Sequence, residues 1–188
     1  MSPASSPEPL DPVAFVRPEN ELERRVCADP AWIAGSLWGA PRSGHPEGTV
    51  ALHVEDVLAN VDRIAPKPDP DRDRLRFIAI VHDSFKGEVD RTRPKTGENQ
   101  HGRIARRFAE GHTGDLSVLE VIELHDDAYI AWRHGTRTGA WPEATRQADE
   151  LLRRLGPNLG LFMRFYQADN EVEGKTGEHR EWFKARAG

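Results

Sequence analysis

Histidines recur on the apolar stripes of several predicted helices, and this pattern has clear chemical potential. His53, His82, His101 and His125 each lie three or four residues from apolar neighbours, and Asp169 does the same near the C-terminus. Residues at this spacing share one helix face, so the pattern directs five polar groups toward the core. A single inward histidine is usually a hydrogen-bonded core residue. Several together are costly to bury, and a shared metal ion would remove that cost.

Two of these histidines are followed directly by an aspartate, at His82-Asp83 and His125-Asp126. Adjacent residues of a helix do not face the same way. A metal bound by both members of the first step must therefore lie in a crevice beside the stripe, between a long imidazole and a short carboxylate. An isolated His-Asp pair is common by chance, so the other inward histidines are what make the step meaningful.

The composition of the 188-residue chain limits the nature of such a site. The chain has 8 histidines but only one cysteine, Cys27. A single cysteine excludes an intramolecular disulfide and a cysteine-rich zinc module. A formal net charge of −5 argues against general nucleic-acid binding. No apolar run approaches the roughly 20 residues of a membrane span, and the first residues do not resemble a signal peptide. We therefore expect a cytoplasmic protein without membrane or stable nucleic-acid partners.

Apolar periodicity predicts an all-α protein, a compact bundle of about six to eight helices around a buried His/Asp metal site. A Ser/Pro-rich tail at residues 1–10 is predicted to be disordered, and residues 11–188 to form a single domain. Helices are predicted within 10–27, 49–65, 73–87 with Gly87 as C-cap, 101–111, 115–135, 143–155, 158–172 and at the C-terminus. Residues 31–48, rich in Gly, Pro and Trp, are predicted to form an ordered loop.

The order of the polar groups along the chain resembles that of the HD-domain superfamily of metal-dependent phosphohydrolases. VHDSFK is similar to the HD-x-x-K step of that family, and HPEGTVALHVEDVL to its opening helix with the preceding loop. FYQADNEV is similar to its closing helix with a terminal aspartate. The resemblance covers about residues 45–172 and implies an HD-like helical fold.

Position by position, the resemblance implies six metal ligands. The first metal would be held by His53, His82, Asp83 and Asp169. Asp83 would bridge to a second metal held by His101 and His125, and would take part in catalysis. In a one-metal enzyme, His101 and His125 would instead contact phosphate or water.

Two further residues near this set have alternative interpretations. Lys86 resembles the family's substrate-facing catalytic lysine, but a solvated lysine that complements the helix dipole would look the same. His112 lies one turn beyond Phe108, near the inner face of its helix, and is an alternative to His101 as a ligand.

Other candidates for the site are less specific. Arg42 and His45 could line the mouth of a substrate pocket, and Arg164 is available to bind phosphate. Asp126 could orient a ligand imidazole, or it could be a surface acid. The remaining histidines, His134 and His179, are predicted to lie at the surface, and Cys27 is predicted to be structural.

The implied function is hydrolysis of a phosphate ester of a nucleotide or similar small molecule by a metal-activated water. The cofactors would be one or two divalent transition metals, Mn, Fe, Co, Ni or Zn. One alternative is a mixed-valent di-iron oxygenase with the same six ligands and a small polar substrate. Another is a non-catalytic binding domain. A homo-oligomer could use the tryptophans of residues 31–41 as interface residues.

Overall fold

The computed structural model describes residues 10–41, 48–172 and 176–188, which form helices with no strand among them. The α-helices are α1 (Pro12–Val16), α2 (Glu21–Cys27), α3 (Pro30–Ser36), α4 (Val50–Ile64), α5 (Arg72–Val81), α6 (His101–Glu110), α7 (Leu116–Leu124), α8 (Asp127–Thr138), α9 (Trp141–Leu155), α10 (Leu159–Asn170) and α11 (Glu178–Ala187). Short 3₁₀ turns lie at Lys86–Glu88, Gly97–Asn99 and Gly156–Asn158. The all-α prediction is confirmed, while the predicted tail falls largely on residues 1–9, outside the described residues.

The described part of the chain has eleven α-helices, more than the six to eight expected. Residues 31–48 were expected to be a loop, but they begin inside α3. Residues 10–27 hold two helices rather than one, and residues 115–135 divide at His125-Asp126 into α7 and α8. The predicted C-cap at Gly87 is wrong, since α5 ends at Val81.

The early end of α5 has a tertiary cause. In a continuing helix the carbonyl of Ile80 would accept a hydrogen bond from the backbone N–H of Ser84. Here that carbonyl accepts from the indole N–H of Trp32 at 2.8 Å and from the Ser84 hydroxyl at 3.0 Å. The Ser84 N–H donates instead to the carbonyl of Val81. The chain therefore turns immediately after α5, at the His-Asp step.

Four helices, α4, α5, α7 and α10, pack on one another around the centre of the fold. Every residue of α5 from Leu75 to Val81 is at most 3% exposed. Burial of one large apolar side chain, such as Leu75 or Ile78, contributes about 1.5–3 kcal/mol to the stability of the fold. The helix that precedes the His-Asp step is thus held rigidly on most sides. α6 packs on α7, and α8, α9 and α11 pack together.

His179 anchors α11 and is not the surface residue that the sequence suggested. Its side chain is buried, and its Nδ1 lies 2.6 Å from the hydroxyl oxygen of Tyr166 on α10. The imidazole also contacts the rings of Tyr129 and Trp132 on α8. A buried tyrosine hydroxyl requires a hydrogen-bond partner, so the pair joins α11 to the core.

Two residues near the N-terminus are too deeply buried to serve as an interface residue or as a reactive group. Trp32 is fully buried, so it cannot serve as the interface residue proposed from the sequence. Cys27 is buried on α2, and its burial and the charge of Glu23 raise the pKa of its thiol to about 12. Such a thiol stays protonated and is a poor nucleophile. Over the described ranges, no helix combines the length and apolar character required to cross a membrane.

A buried ion pair joins α2 to α5. Nε and Nη2 of Arg76 donate hydrogen bonds to the two carboxylate oxygens of Glu23, at 2.9 and 3.0 Å. Glu23 is fully buried, and Arg76 is 3% exposed. Removal of one member of such a pair leaves the other charge buried and poorly compensated.

We expect Glu23→Ala to lower the free energy of unfolding by about 3 kcal/mol, because Arg76 would lose its bidentate partner inside the protein. Urea unfolding followed by circular dichroism measures the change. The control is Glu21→Ala on the same helix, since Glu21 is exposed and pairs with exposed Arg24. The control should change the free energy by less than about 1 kcal/mol. Equal effects of the two substitutions would contradict the prediction.

Candidate metal centre

The six side chains predicted as metal ligands converge in the structure, and most of them lie at helix ends. His53 is in the first turn of α4, His101 begins α6, and Asp169 is in the last turn of α10. His82 and His125 are the C-cap residues of α5 and α7, and Asp83 follows the first of them. His101 is partly buried and the other five are buried. Helix ends place these short side chains in one crevice between the central helices.

The carboxylate of Asp83 lies at the centre of the cluster and divides it into two groups. Its Oδ2 is 3.5 Å from Nε2 of His53 and 3.6 Å from Nε2 of His82. Its Oδ1 is 3.3 Å from Nε2 of His125 and 3.6 Å from Nε2 of His101. In each group the potential ligand atoms lie within 4.8 Å of one another. Each carboxylate oxygen therefore faces a separate pair of imidazoles.

Asp169 completes the first group. Its Oδ1 is 3.0 Å from Nε2 of His53 and 3.6 Å from Nε2 of His82. The first group thus offers two imidazole nitrogens and two carboxylate oxygens around one point. Mixed nitrogen and oxygen donors of this kind suit divalent transition metals.

Backbone carbonyls determine which nitrogen of two imidazoles faces inward. Nδ1 of His82 is 2.9 Å from the carbonyl oxygen of Ala79, and Nδ1 of His125 is 2.8 Å from that of Ile122. A carbonyl only accepts, so both Nδ1 atoms carry hydrogen, and a neutral ring then presents the lone pair of its Nε2. Among the described residues, the buried Nε2 of His82 has no hydrogen-bond partner. An inward lone pair that lacks a donor fits a metal ligand.

The second group juxtaposes two imidazole nitrogens. Nε2 of His101 is 3.0 Å from Nε2 of His125. Burial lowers the pKa of His101 to about 4, and the charge of His125 adds to this effect. Burial acts in the same direction on His125, but Asp83 and Asp126 outweigh it and raise its pKa to about 9. The two carboxylates thus favour a positive charge here, which a proton or a metal cation can supply.

The ionised state of Asp83 depends on its cationic neighbours. Burial by itself would raise the pKa of this carboxyl, but Lys86 and the imidazoles, His82 foremost, hold it well below its usual range. Nζ of Lys86 donates a hydrogen bond to Oδ2 of Asp83. Lys86 is therefore engaged with the cluster and is not simply a solvated lysine.

Close backbone approaches position the His-Asp step, and sequence reasoning missed them. A Cβ atom on Gly35 of α3 would lie 1.8 Å from the carbonyl oxygen of Ser84, so only glycine permits α3 to pack on this turn. The signal for α3 was present in Asp29-Pro30, a typical N-cap followed by proline at the first helical position. At Gly102, a Cβ would lie 2.4 Å from the carbonyl oxygen of Glu123. That glycine lets α6 approach α7.

A cavity of about 480 Å³ lies beside the second group and is lined by Lys86, Gln100, His101 and Asp126, with several other residues. Oδ2 of Asp126 is 3.5 Å from Nε2 of His101. Asp126 therefore lies at the cluster, but it faces the ring nitrogen that points toward Asp83, whereas an orienting carboxylate binds the opposite nitrogen of a ligand imidazole. The cavity offers a small molecule access to the His101 side of the site.

The structure does not bring the other candidates to the cluster. Arg164 donates hydrogen bonds to Asp69 and Asp71, at the end of α4 remote from His53, so the expected phosphate contact is replaced by an ion pair. The ring of His112 packs against that of Phe108 in a tilted arrangement, and its Nε2 is 3.7 Å from the carboxylate of Asp29, so it is not a member of either group. Arg42 and His45 lie outside the described residues.

Comparison with models of protein families identifies a family for this chain. A family model described as the HD domain matches residues 50–157, which is more than half of the chain. The matched range contains both His-Asp steps, His53 and His101, whereas Asp169 lies beyond it. No curated protein and no solved structure matches the chain.

We expect Gly35→Ala to lower the free energy of unfolding by about 1–3 kcal/mol and to weaken metal binding, because the added methyl group must displace the turn that carries Asp83. Thermal unfolding and titration with Mn²⁺ measure the two effects. Gly160→Ala is the control, since its Cβ would meet nothing within 4 Å. Unchanged metal affinity in Gly35→Ala would contradict the assigned role of α3.

Proposed function

The chain belongs to the HD-domain family, whose members form a superfamily of metal-dependent hydrolases, and from this premise we propose that it is a phosphohydrolase. The proposed reaction is the hydrolysis of a phosphate ester of a small molecule, most simply a nucleotide, by a metal-activated water. The observation that carries the proposal is the position of Asp83, with one carboxylate oxygen toward each of two imidazole pairs.

The proposed centre holds two divalent metals. His53, His82 and Asp169 would hold the first, His101 and His125 the second, and Asp83 both. Each metal would be Mn, Fe, Co, Ni or Zn, which accept imidazole and carboxylate ligands. When bound, such metals lower the pKa of a coordinated water and polarise a phosphoryl oxygen.

Lys86 and Asp126 have separate proposed roles in this reaction. Burial lowers the pKa of Lys86, but Asp83 and Asp126 outweigh it and raise the pKa above its ordinary value, so the side chain remains a cation. Because it also lines the cavity, Lys86 can stabilise the negative charge that develops on phosphoryl oxygens. Asp126, close to the same Nε2 of His101 that faces Asp83, would place a second negative charge beside the second metal.

The dimensions of the cavity support a small substrate. A volume of about 480 Å³ lies within the range of roughly 300–1,000 Å³ that is typical of small-molecule sites. Lys86 gives it a positive charge next to the cluster, as a phosphate ester requires.

A mixed-valent di-iron oxygenase is the second candidate, because two ligand groups that share a carboxylate would also suit two irons. The two functions differ in the metal that they need. Two irons per chain with an electron paramagnetic resonance signal, together with O₂ consumption, would favour the oxygenase. Turnover with Mn²⁺ or Co²⁺ in the absence of iron would favour the hydrolase.

We expect protein purified without chelator to hold up to two metal ions per chain. Inductively coupled plasma mass spectrometry measures this content. His101→Ala should reduce the content to one, since His53, His82, Asp83 and Asp169 remain for the first metal. Asp83→Asn, which preserves the shape of the side chain but removes its charge, should lower the occupancy of both metal positions. Circular dichroism controls for folding. Equal metal content in wild type and folded Asp83→Asn would contradict the shared role of this carboxylate.

We expect turnover of at least one phosphate ester in a panel of nucleotides and simpler esters assayed with Mn²⁺ or Co²⁺. His82→Ala should abolish it, and Lys86→Ala should lower kcat about 10²-fold, as for other electrostatic contacts to a transition state. The control is Lys184→Ala on α11, an exposed lysine that is not part of the cavity. Absence of turnover by metal-loaded protein, or full activity of folded His82→Ala, would overturn the proposal.

A further inference from the structure

The cavity beside the metal centre extends away from the cluster and is walled by basic residues. Besides Lys86, its lining includes Arg91 and Lys95 from the segment after α5, and Arg133 from α8. Asp126 is the acidic residue on this lining, and Lys86 is paired with Asp83, so three further cations face one carboxylate. The potential inside the cavity is therefore positive.

The cations of this wall differ from those of the neighbouring helix. On α6, Arg103, Arg106 and Arg107 each pair with a glutamate. Within residues 10–41, 48–172 and 176–188, no carboxylate forms an ion pair with Arg91, Lys95 or Arg133. The guanidinium of Arg133 lies over the ring of Tyr129, 5.5 Å from its centroid. These charges remain available to an anionic ligand.

The basic segment is preorganised by a buried asparagine. Asn99 is 7% exposed, and its side chain bonds to both the backbone N–H and the carbonyl of Asp90, at 2.8 and 2.9 Å. It also donates to the carbonyl of Pro94 at 2.9 Å. These bonds brace the backbone on both sides of Arg91 and next to Lys95. A ligand would therefore meet positions that are already ordered.

The rest of the wall suits the uncharged part of a ligand. Tyr129 and Trp38 contribute aromatic surface, and Ile130 is an exposed apolar side chain at 38%. Aromatic rings of this kind can pack on a planar group. The wall thus combines an apolar surface with separate cations.

We propose that Arg91, Lys95 and Arg133 form a second anion subsite, which binds a phosphate group of the substrate other than the one that is hydrolysed. The inference rests on the proposed function and specifies its substrate class, small molecules with at least two phosphate groups. Lys86 serves the phosphate at the metal centre, and the basic wall serves the more distant one. The three residues determine specificity and do not contact the reacting atoms.

Binding of two inert probes tests the subsite without catalysis. Methylenediphosphonate has two phosphonate groups and methylphosphonate has one, and neither is a hydrolysable ester. Isothermal titration calorimetry of the protein as purified should give a Kd about tenfold lower for methylenediphosphonate than for methylphosphonate. This is a modest preference, typical of exposed charge contacts. The double variant Arg91→Ala/Lys95→Ala should lose most of this preference. Arg93→Ala, in the same segment but not on the cavity wall, should keep it.

Two results would overturn the subsite. The first is equal binding of the two probes by the wild type. The second is a double variant that retains the preference, which would place the selectivity at the metal ligands themselves. Because the probes are not turned over, loss of the hydrolase proposal would leave the expected preference intact. Phosphatase activity without the preference would remove only the subsite.

Discussion

Asp83 is an ionised carboxylate that is almost entirely buried, and its surroundings have to compensate for the lost hydration. The ammonium group of Lys86 donates a hydrogen bond to it, and four imidazoles, three of them from other helices, face its two oxygens. Positive charge is therefore required at this point, either as protons or as metal ions. The same requirement explains why α4, α5, α6 and α7 must all present an end or a first turn to one crevice.

The helix ends meet this requirement through backbone chemistry. Carbonyls three residues before His82 and His125 fix the hydrogen on Nδ1 and leave Nε2 for the centre. Trp32 and Gly35 of α3 hold the turn at the first His-Asp step, one by a hydrogen bond to Ile80 and the other by its lack of a side chain. A short helix that carries no ligand thus determines where the central carboxylate lies.

Charged residues in this protein have two different uses. Pairs such as Glu23–Arg76 and Arg164–Asp69 join helices, and their charges are already satisfied. The basic residues of the cavity wall are not paired in this way, and they lie next to Lys86 at the proposed reaction site. The proposed binding of an anionic substrate thus relies on cations that the packing leaves unpaired.

The sequence alone determined the helical class and the inward direction of four histidines and Asp169, because apolar spacing fixes the buried face of each helix whatever the details of packing. The inclusion of Asp83 as the sixth group rested on the resemblance to HD domains. The sequence did not determine where α5 ends, since the group that competes for the carbonyl of Ile80 is Trp32, 48 residues earlier. Nor did it distinguish Arg164 from Arg91 as an anion contact, because both are simply basic residues in the sequence. Only the tertiary structure decides which cation meets a carboxylate and which faces the cavity.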